Sequence, residues 1–413
     1  MRSQIRRNRT ILALARWVWQ RGDRLLHIAR VYLIGLPRYP LRRLSSLIPK
    51  ASRIILAAGS SVATPAPFVF PAGRAGRLAS PHARFDFPPI YLGTLANAVI
   101  TGGTNLIRYG NAVICHDLYD PHHDNTAEEL HHKTFVYPSR RELSWLMPDI
   151  MPAKLPRAAA FTDACSANYA HWLTEILPKI YLFCRDDSYA STPILVDAGL
   201  HPNLVESLHM VAGVSRPIIF LAPGATVLAE ELLAISVAGY VPFGRRGSAL
   251  GGHSHGMFSG QGLTALRDHL IGSLTAGESP GGAKLYLKRS ADTRNTTNRV
   301  EIETLLVEQG FTVIEPECMS FAEQVRVFAS ADIVIGVTGA AFANLIFCRP
   351  ATRIIILVSD YRHLSYWYWQ NIACATGHRI TYVIGGCTEW PRHPHSSYKV
   401  EVQDVLDAIN KRS

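Results

Sequence analysis

Cysteine is scarce and unpatterned in this 413-residue chain: there are seven, an odd number, and no Cys-x-x-Cys spacing. That excludes a disulfide framework and a thiolate zinc site, and it reads as reduced thiols in a cytosolic protein. The sequons at Asn8 and Asn295 would then stay unmodified. Long apolar runs are missing as well. The stretches Ile11–Ala15, Trp17–Trp19 and Val31–Leu36 are each cut by Arg or Pro, and none approaches the ~20 residues that cross a bilayer. Acid is nearly absent from the first 53 positions, which hold thirteen Lys/Arg and only Asp23; they carry +12, and the remainder −2 of the net +10. A near-neutral body argues against a nucleic-acid groove, which needs basic residues spread over a folded surface.

What is present is a globular composition. At 48% hydrophobic and 18% charged residues, the chain can bury sizeable cores, which rules out disorder and fibrous repeats. Its length fits two domains of roughly 150 to 200 residues plus extensions. From Thr10 to Ile34 apolar residues recur at helical spacing beside Arg7, Arg16, Arg21, Arg24, Arg30, Trp17 and Trp19. Such a helix can lie on an anionic membrane surface, with a solvated basic arm or a packing helix as the equal alternative.

The pattern divides the chain into a basic helical extension (1–58), an α/β domain (59–245), a Gly/His-rich linker (246–262), a second α/β domain (263–395) and a terminal helix packing back (396–413). Residues 59–90 are rich in breakers and read as linker and domain entry. Strands are expected at Asn97–Ile100, Ala112–Cys115, Thr134–Tyr137, Ala158–Thr162, Pro193–Val196, Ile218–Leu221 and Glu231–Val237, with helices at Tyr169–Phe183 and Leu204–Ala212. The second half alternates more cleanly. Helices are expected at Leu263–Leu274, Arg299–Gln309, Phe321–Ala329 and Ala340–Phe347, between strands Lys284–Lys288, Thr312–Ile314, Ile333–Gly336 and Arg353–Leu357. Gly310 sits where a helix C-cap belongs, and Ser320 opens a capping box. The fold class is α/β, two Rossmann-like units facing a cleft.

Three stretches carry chemistry. In Asn168-Tyr-Ala-His171-Trp172-Leu-Thr-Glu175 the imidazole and carboxylate are four apart on a helix, so the pair can take a proton from a hydroxyl. An ordinary helix-surface pair, a core Trp172 and a capping Asn168 are the alternative. In Ala331-Asp-Ile-Val-Ile-Gly336-Val-Thr338-Gly339-Ala340-Ala-Phe-Ala-Asn344 a strand runs through small residues into a helix, so backbone N–H groups can face a diphosphate. That stretch has neither Gly-x-Gly-x-x-Gly nor a P-loop lysine, which counts against dinucleotide oxidation and P-loop phosphoryl transfer. Arg289, Arg294 and Asn298 follow a strand, where guanidinium groups grip phosphates. The cluster His122, His123, Asp124, Glu128, Glu129, His131 and His132 follows no ligand spacing and reads as a polar loop entering an exposed helix, so no metal ligands are assigned.

In this order the three pieces resemble glycosyltransferase family 61. Asn168, His171, Trp172, Glu175, Leu177 and Pro178 match its first signature. Tyr286, Arg289, Arg294, Asn298, Gly310, Phe311, Gln324, Phe328 and Ala331 match the second, and Gly339, Ala340, Asn344, Phe347 and Pro350 the third. Thr338 stands where the family usually has His, Ile356 where it has Glu, and Arg299 where an acid follows the Asn. The resemblance implies a GT-B architecture and inverting transfer from a nucleotide-sugar donor to a glycan acceptor, in surface or capsular polysaccharide synthesis, with no cofactor and no obligatory metal. It assigns His171 or Glu175 as general base, with Asn168 and Trp172 on the acceptor side. Arg289, Arg294, Asn298, Thr338, Gly339, Ala340 and Asn344 are assigned to the donor. The expected geometry is one pocket, guanidinium groups from the second half facing the imidazole–carboxylate couple of the first. A non-catalytic sugar- or nucleotide-binding relative, or a peripheral subunit of a polysaccharide assembly, is the other reading. The expected location is cytoplasmic, with residues 1–53 resting on the inner membrane's cytoplasmic face.

Overall fold

The computed structural model describes residues 36–78, 83–148, 151–246, 256–275, 281–290, 294–361, 367–388 and 396–411. The expected N-terminal helix and most of the Gly/His-rich linker lie outside these residues. The architecture is mixed α/β, built on two large sheets with helices between and around them.

The second sheet is the simpler. Its strands Thr312–Ile314, Ala283–Leu287, Ala331–Val337, Arg353–Ser359 and Ile380–Cys387 lie side by side in that order, all parallel. Relative to chain order this is a 2-1-3-4-5 arrangement, so the direction of winding reverses between Ala283–Leu287 and Ala331–Val337. A crevice opens at the carboxyl ends of strands at such a reversal, because the connecting segments leave on opposite faces. Local signals set the connections. Ser320 and Glu323 form the reciprocal capping box that starts helix Phe321–Ala329. Gly310, at φ +79°, ends helix Arg299–Glu308, its N–H bonding Val307 while Phe311 N–H bonds Leu306. Ala340–Phe347 is a 3-10 helix, not the expected α-helix. Six consecutive residues from Phe342 to Phe347 are buried, so no polar face imposes a 3.6-residue period.

The first sheet departs from the expected doubly wound unit. Ala153–Ala160, Ile194–Asp197 and Ile218–Leu221 run parallel and are linked by helices Leu177–Cys184 and Pro202–Ala212. Beyond Thr226–Ile235 the sheet continues antiparallel through Ile90–Thr101, Ile107–Tyr109 and Ala112–Cys115. Two strands come from the segment read as an extension: Arg38–Arg43 pairs Ala112–Cys115 and Glu142–Trp145, and Ile54–Ala57 pairs Ile90–Thr101. The stretch read as linker contributes Phe68–Phe70, which joins the second sheet beside Ile380–Cys387. The N-terminal portion therefore stitches both sheets.

One hydrophobic core runs through both halves, from Leu56, Trp172 and Leu208 to Phe321, Ile356 and Ile384. Polar contacts reinforce it. The Glu206 carboxylate accepts the N–H groups of Phe321 (2.7 Å) and Ala322 (3.2 Å), capping a helix of the opposite half. Helix Val402–Asn410 buries Val405, Ala408 and Ile409 against the second sheet, as its apolar spacing predicts. No helix among the described residues is long and apolar enough to cross a membrane.

Candidate functional site

The segment bearing His171 is built in three pieces. Asn168 caps the first turn, its Oδ1 accepting from Ala170 N (3.0 Å) and His171 N (3.5 Å). Tyr169–His171 is α-helical, Trp172–Ile176 is a π-helical turn, and Leu177–Cys184 resumes the α-helix. Pro178 explains the bulge, since proline has no N–H to return to the carbonyl four residues back, Thr174. Gly239 lies over that carbonyl: a Cβ there would come within 2.5 Å of the Thr174 oxygen. His171 and Glu175 are adjacent, with Nδ1 2.5 Å from Oε1. Burial alone would lower the His171 pKa, but the Glu175 charge and hydrogen bond, with the Asp163 charge, raise it above the ordinary value. With Nδ1 committed to Glu175, Nε2 is the nitrogen able to accept a proton.

Around this pair is a chamber of about 110 Å³, lined also by His116, Glu128, Asp163 and Lys179. Burial, then the Lys179 charge, push the His116 pKa down to about 4. Its ring lies 4.4 Å from that of Tyr240, and its Nδ1 is buried with no hydrogen-bond partner. Lys179 is lowered by burial, against the opposing pull of Asp163 and Glu175. Glu128 is raised by burial and bonded by the Thr104 hydroxyl at 2.7 Å. Glu128 is thus buried in a four-residue helix, Ala127–Leu130, and not on an exposed one. Among the described residues no group of three or more His, Cys, Asp or Glu side chains is placed to hold a metal ion.

The second cavity, about 310 Å³, opens at the reversal of winding in the second sheet. Leu287, Lys288 and Arg289 line it from one strand end, Val337, Gly339 and Ala340 from the next, and Tyr169 from the first half. Arg289 lies directly against Gly339, where a Cβ would come within 2.6 Å of its Nη1. Arg294 adopts a left-handed backbone at φ +57°. Burial, then the Arg289 charge, hold Arg294 below its usual pKa, and its Nε is buried without a partner. Arg289 lines the cavity and Arg294 does not.

The expected single pocket is therefore two. His171 and Glu175 line one cavity and Arg289 the other; Ala164 and Cys165 border the first, Ala167 and Tyr169 the second. Tyr169 is also a tie between the halves, its hydroxyl donating to Asn344 Oδ1 at 2.5 Å while Asn344 Nδ2 donates to Gln324 (2.7 Å). Asn344 thus supports the wall instead of facing the cavity. Three other expected residues point elsewhere. Trp172 is fully buried, and its indole N–H bonds Ser207 (2.9 Å), so it is a core residue and not an acceptor contact. Asn298 spends its amide on Val400 and Glu301 and lines neither cavity. Thr338 accepts from Trp369 Nε1 at 3.0 Å. Sequence reading missed His116, Asp163 and Lys179. His116 directly follows the strand Ala112–Cys115 and Asp163 comes shortly after Ala153–Ala160, positions at carboxyl strand ends that the general rule for α/β sites would have flagged.

The family model described as Glycosyltransferase 61 matches residues 169–355, a span that starts at Tyr169 and includes His171, Arg289, Gly339 and Asn344. By class the protein is thus a glycosyltransferase, and the family implies a nucleotide-sugar donor and an acceptor. Residues 169–355 form a region similar to glycosyltransferase family 61. No curated protein matches it.

Proposed function

We propose that this protein moves a sugar, with inversion, from a nucleotide-sugar donor to a glycan acceptor, in a GT-B manner. The donor diphosphate occupies the crevice of Arg289 and Gly339; the supporting observation is that Gly339 lets the Arg289 guanidinium lie against the turn after the strand, where a leaving group's charge is neutralised without a metal. Asn168 and Glu175 hold His171, whose Nε2 takes the proton of the acceptor hydroxyl. The oxygen then attacks the anomeric carbon as its bond to the diphosphate breaks, and the nucleoside diphosphate leaves with both electrons. The Ala164–Tyr169 segment borders both cavities, so the donor sugar reaches past Tyr169 to the His171 chamber.

His171→Ala and Glu175→Gln should each lower transfer at least ~100-fold while calorimetric UDP binding persists; near-normal rates in both would reassign the base. A thermal-shift screen of nucleotide sugars identifies the donor. Surface or capsular polysaccharide is the proposed product, made at the cytoplasmic membrane face through residues 1–53. Liposome flotation with and without that segment tests the attachment, and equal flotation would refute it.

A further inference from the structure

The His171 chamber holds more polar equipment than one proton transfer needs. Its carboxylates are already engaged. Asp163 accepts from Asn105 Nδ2 (2.8 Å) and from the Cys165 N–H (2.7 Å), Glu128 from Thr104, and Glu175 is bound to His171. Its nitrogens are not. His116 Nδ1 is buried and unpartnered, His171 Nε2 is open once Nδ1 is used, and the Lys179 ammonium makes no hydrogen bond or ion pair among the described residues. A buried polar atom left unpaired, as His116 Nδ1 is, is costly, so a ligand or ordered water completes it.

Charge selects the ligand. An anion would meet Asp163 and Glu175, whose charges act on Lys179, and a cation would meet Lys179 itself. A neutral group that accepts from an ammonium while donating to an imidazole remains, and a hydroxyl does both. With Nδ1 and Nε2 of the two imidazoles as acceptors, two donated protons are needed, and one hydroxyl donates only one; two neighbouring hydroxyls supply both.

We propose that this chamber is an acceptor subsite for a vicinal diol: the attacking hydroxyl rests on His171 Nε2, and its neighbouring oxygen is held by Lys179 and His116. The assignment rests on the transferase reading above and names the acceptor class for it. Lys179 and His116 are binding residues that fix which hydroxyl reaches the base.

The test uses the full chain with ¹³C-labelled histidine, assigned through His116→Gln and His171→Gln variants, and titrates cis-1,2-cyclohexanediol against cyclohexanol. The diol should move both imidazole signals and bind about 5-fold more tightly than the mono-alcohol, the worth of roughly one extra hydrogen bond. Lys179→Met should abolish that preference and Lys179→Arg restore part of it. Equal binding of the two alcohols, unmoved imidazole signals, or an undiminished preference in a folded Lys179→Met protein would each overturn the subsite. UDP binding, followed separately by calorimetry on the wild-type chain, keeps the outcomes apart. Loss of the diol effect with UDP still bound removes only the subsite, whereas a chain that binds no nucleoside diphosphate removes the transferase reading beneath it.

Discussion

Gly339→Ala perturbs one contact. A Cβ at position 339 would stand 2.6 Å from Arg289 Nη1, and its next neighbours, Arg289 Cζ and Val337 O, are at 3.8 Å, an ordinary contact. Only the guanidinium must move, by about 1 Å to regain a normal separation. The backbone at 339 is extended (φ 179°), which alanine adopts freely, so folding should be untouched and Tm should change by less than about 2 °C. A displaced guanidinium loses its charge-assisted bond to phosphate, worth about 1.5–3 kcal/mol, so UDP affinity should fall ~10- to 150-fold. Calorimetry with UDP on the wild type, Gly339→Ala and Arg289→Ala reads this directly. A Gly339→Ala protein that binds UDP within twofold of wild type, while Arg289→Ala does not, would refute the claim that Gly339 seats the arginine.

Glu175→Gln should shift the pH–rate profile. Glu175 raises the His171 pKa, so removing its charge lowers it and moves the acid limb to lower pH; an unmoved limb would exclude His171 as the titrating base. The same linkage has a stability sign. A raised folded pKa contributes stability that is complete below the ordinary imidazole value and lost as pH rises through the folded one, so the variant's deficit in Tm should be largest in acid. Trp172→Phe removes a fully buried indole and its bond to Ser207; it should cost about 1–3 kcal/mol without raising the acceptor KM, and a raised KM at unchanged Tm would return Trp172 to the acceptor side. Glu206→Ala removes the carboxylate that accepts Phe321 N–H and Ala322 N–H from the opposite half, leaving the Ser320 capping box, and should cost about 1–2 kcal/mol in urea unfolding; an unchanged midpoint would show that this contact does not hold the halves together.

Periodicity located the interior elements well. Ala112–Cys115, Ile218–Leu221 and Phe321–Ala329 fall where the pattern puts them: the two strands are short apolar runs, and the helix opens on a clear capping box. It failed where tertiary pairing overrides composition. Arg38–Arg43 is basic enough to read as a solvated arm, yet it is held by backbone bonds to strands on both sides. Phe68–Phe70 lies among prolines, which mark breakers in sequence but also suit a short strand at the margin of a sheet. The motif residues were legible as residues and only partly as roles. His171 and Glu175 pair as their spacing predicts, whereas Trp172 shares their signature because it anchors the same helix in the core. Lys179 sits eight positions after His171, and the i, i+4, i+8 spacing of His171, Glu175 and Lys179 on one helix face would have revealed it.

The central claim is that the donor's diphosphate lies at the reversal of winding while proton transfer occurs next door. A crystal structure of the full chain soaked with UDP tests it most directly. The account predicts pyrophosphate density against Arg289 and the Gly339 turn, with the His171 chamber empty of nucleotide. Density beside His171 and Lys179, with none at Arg289, would contradict it.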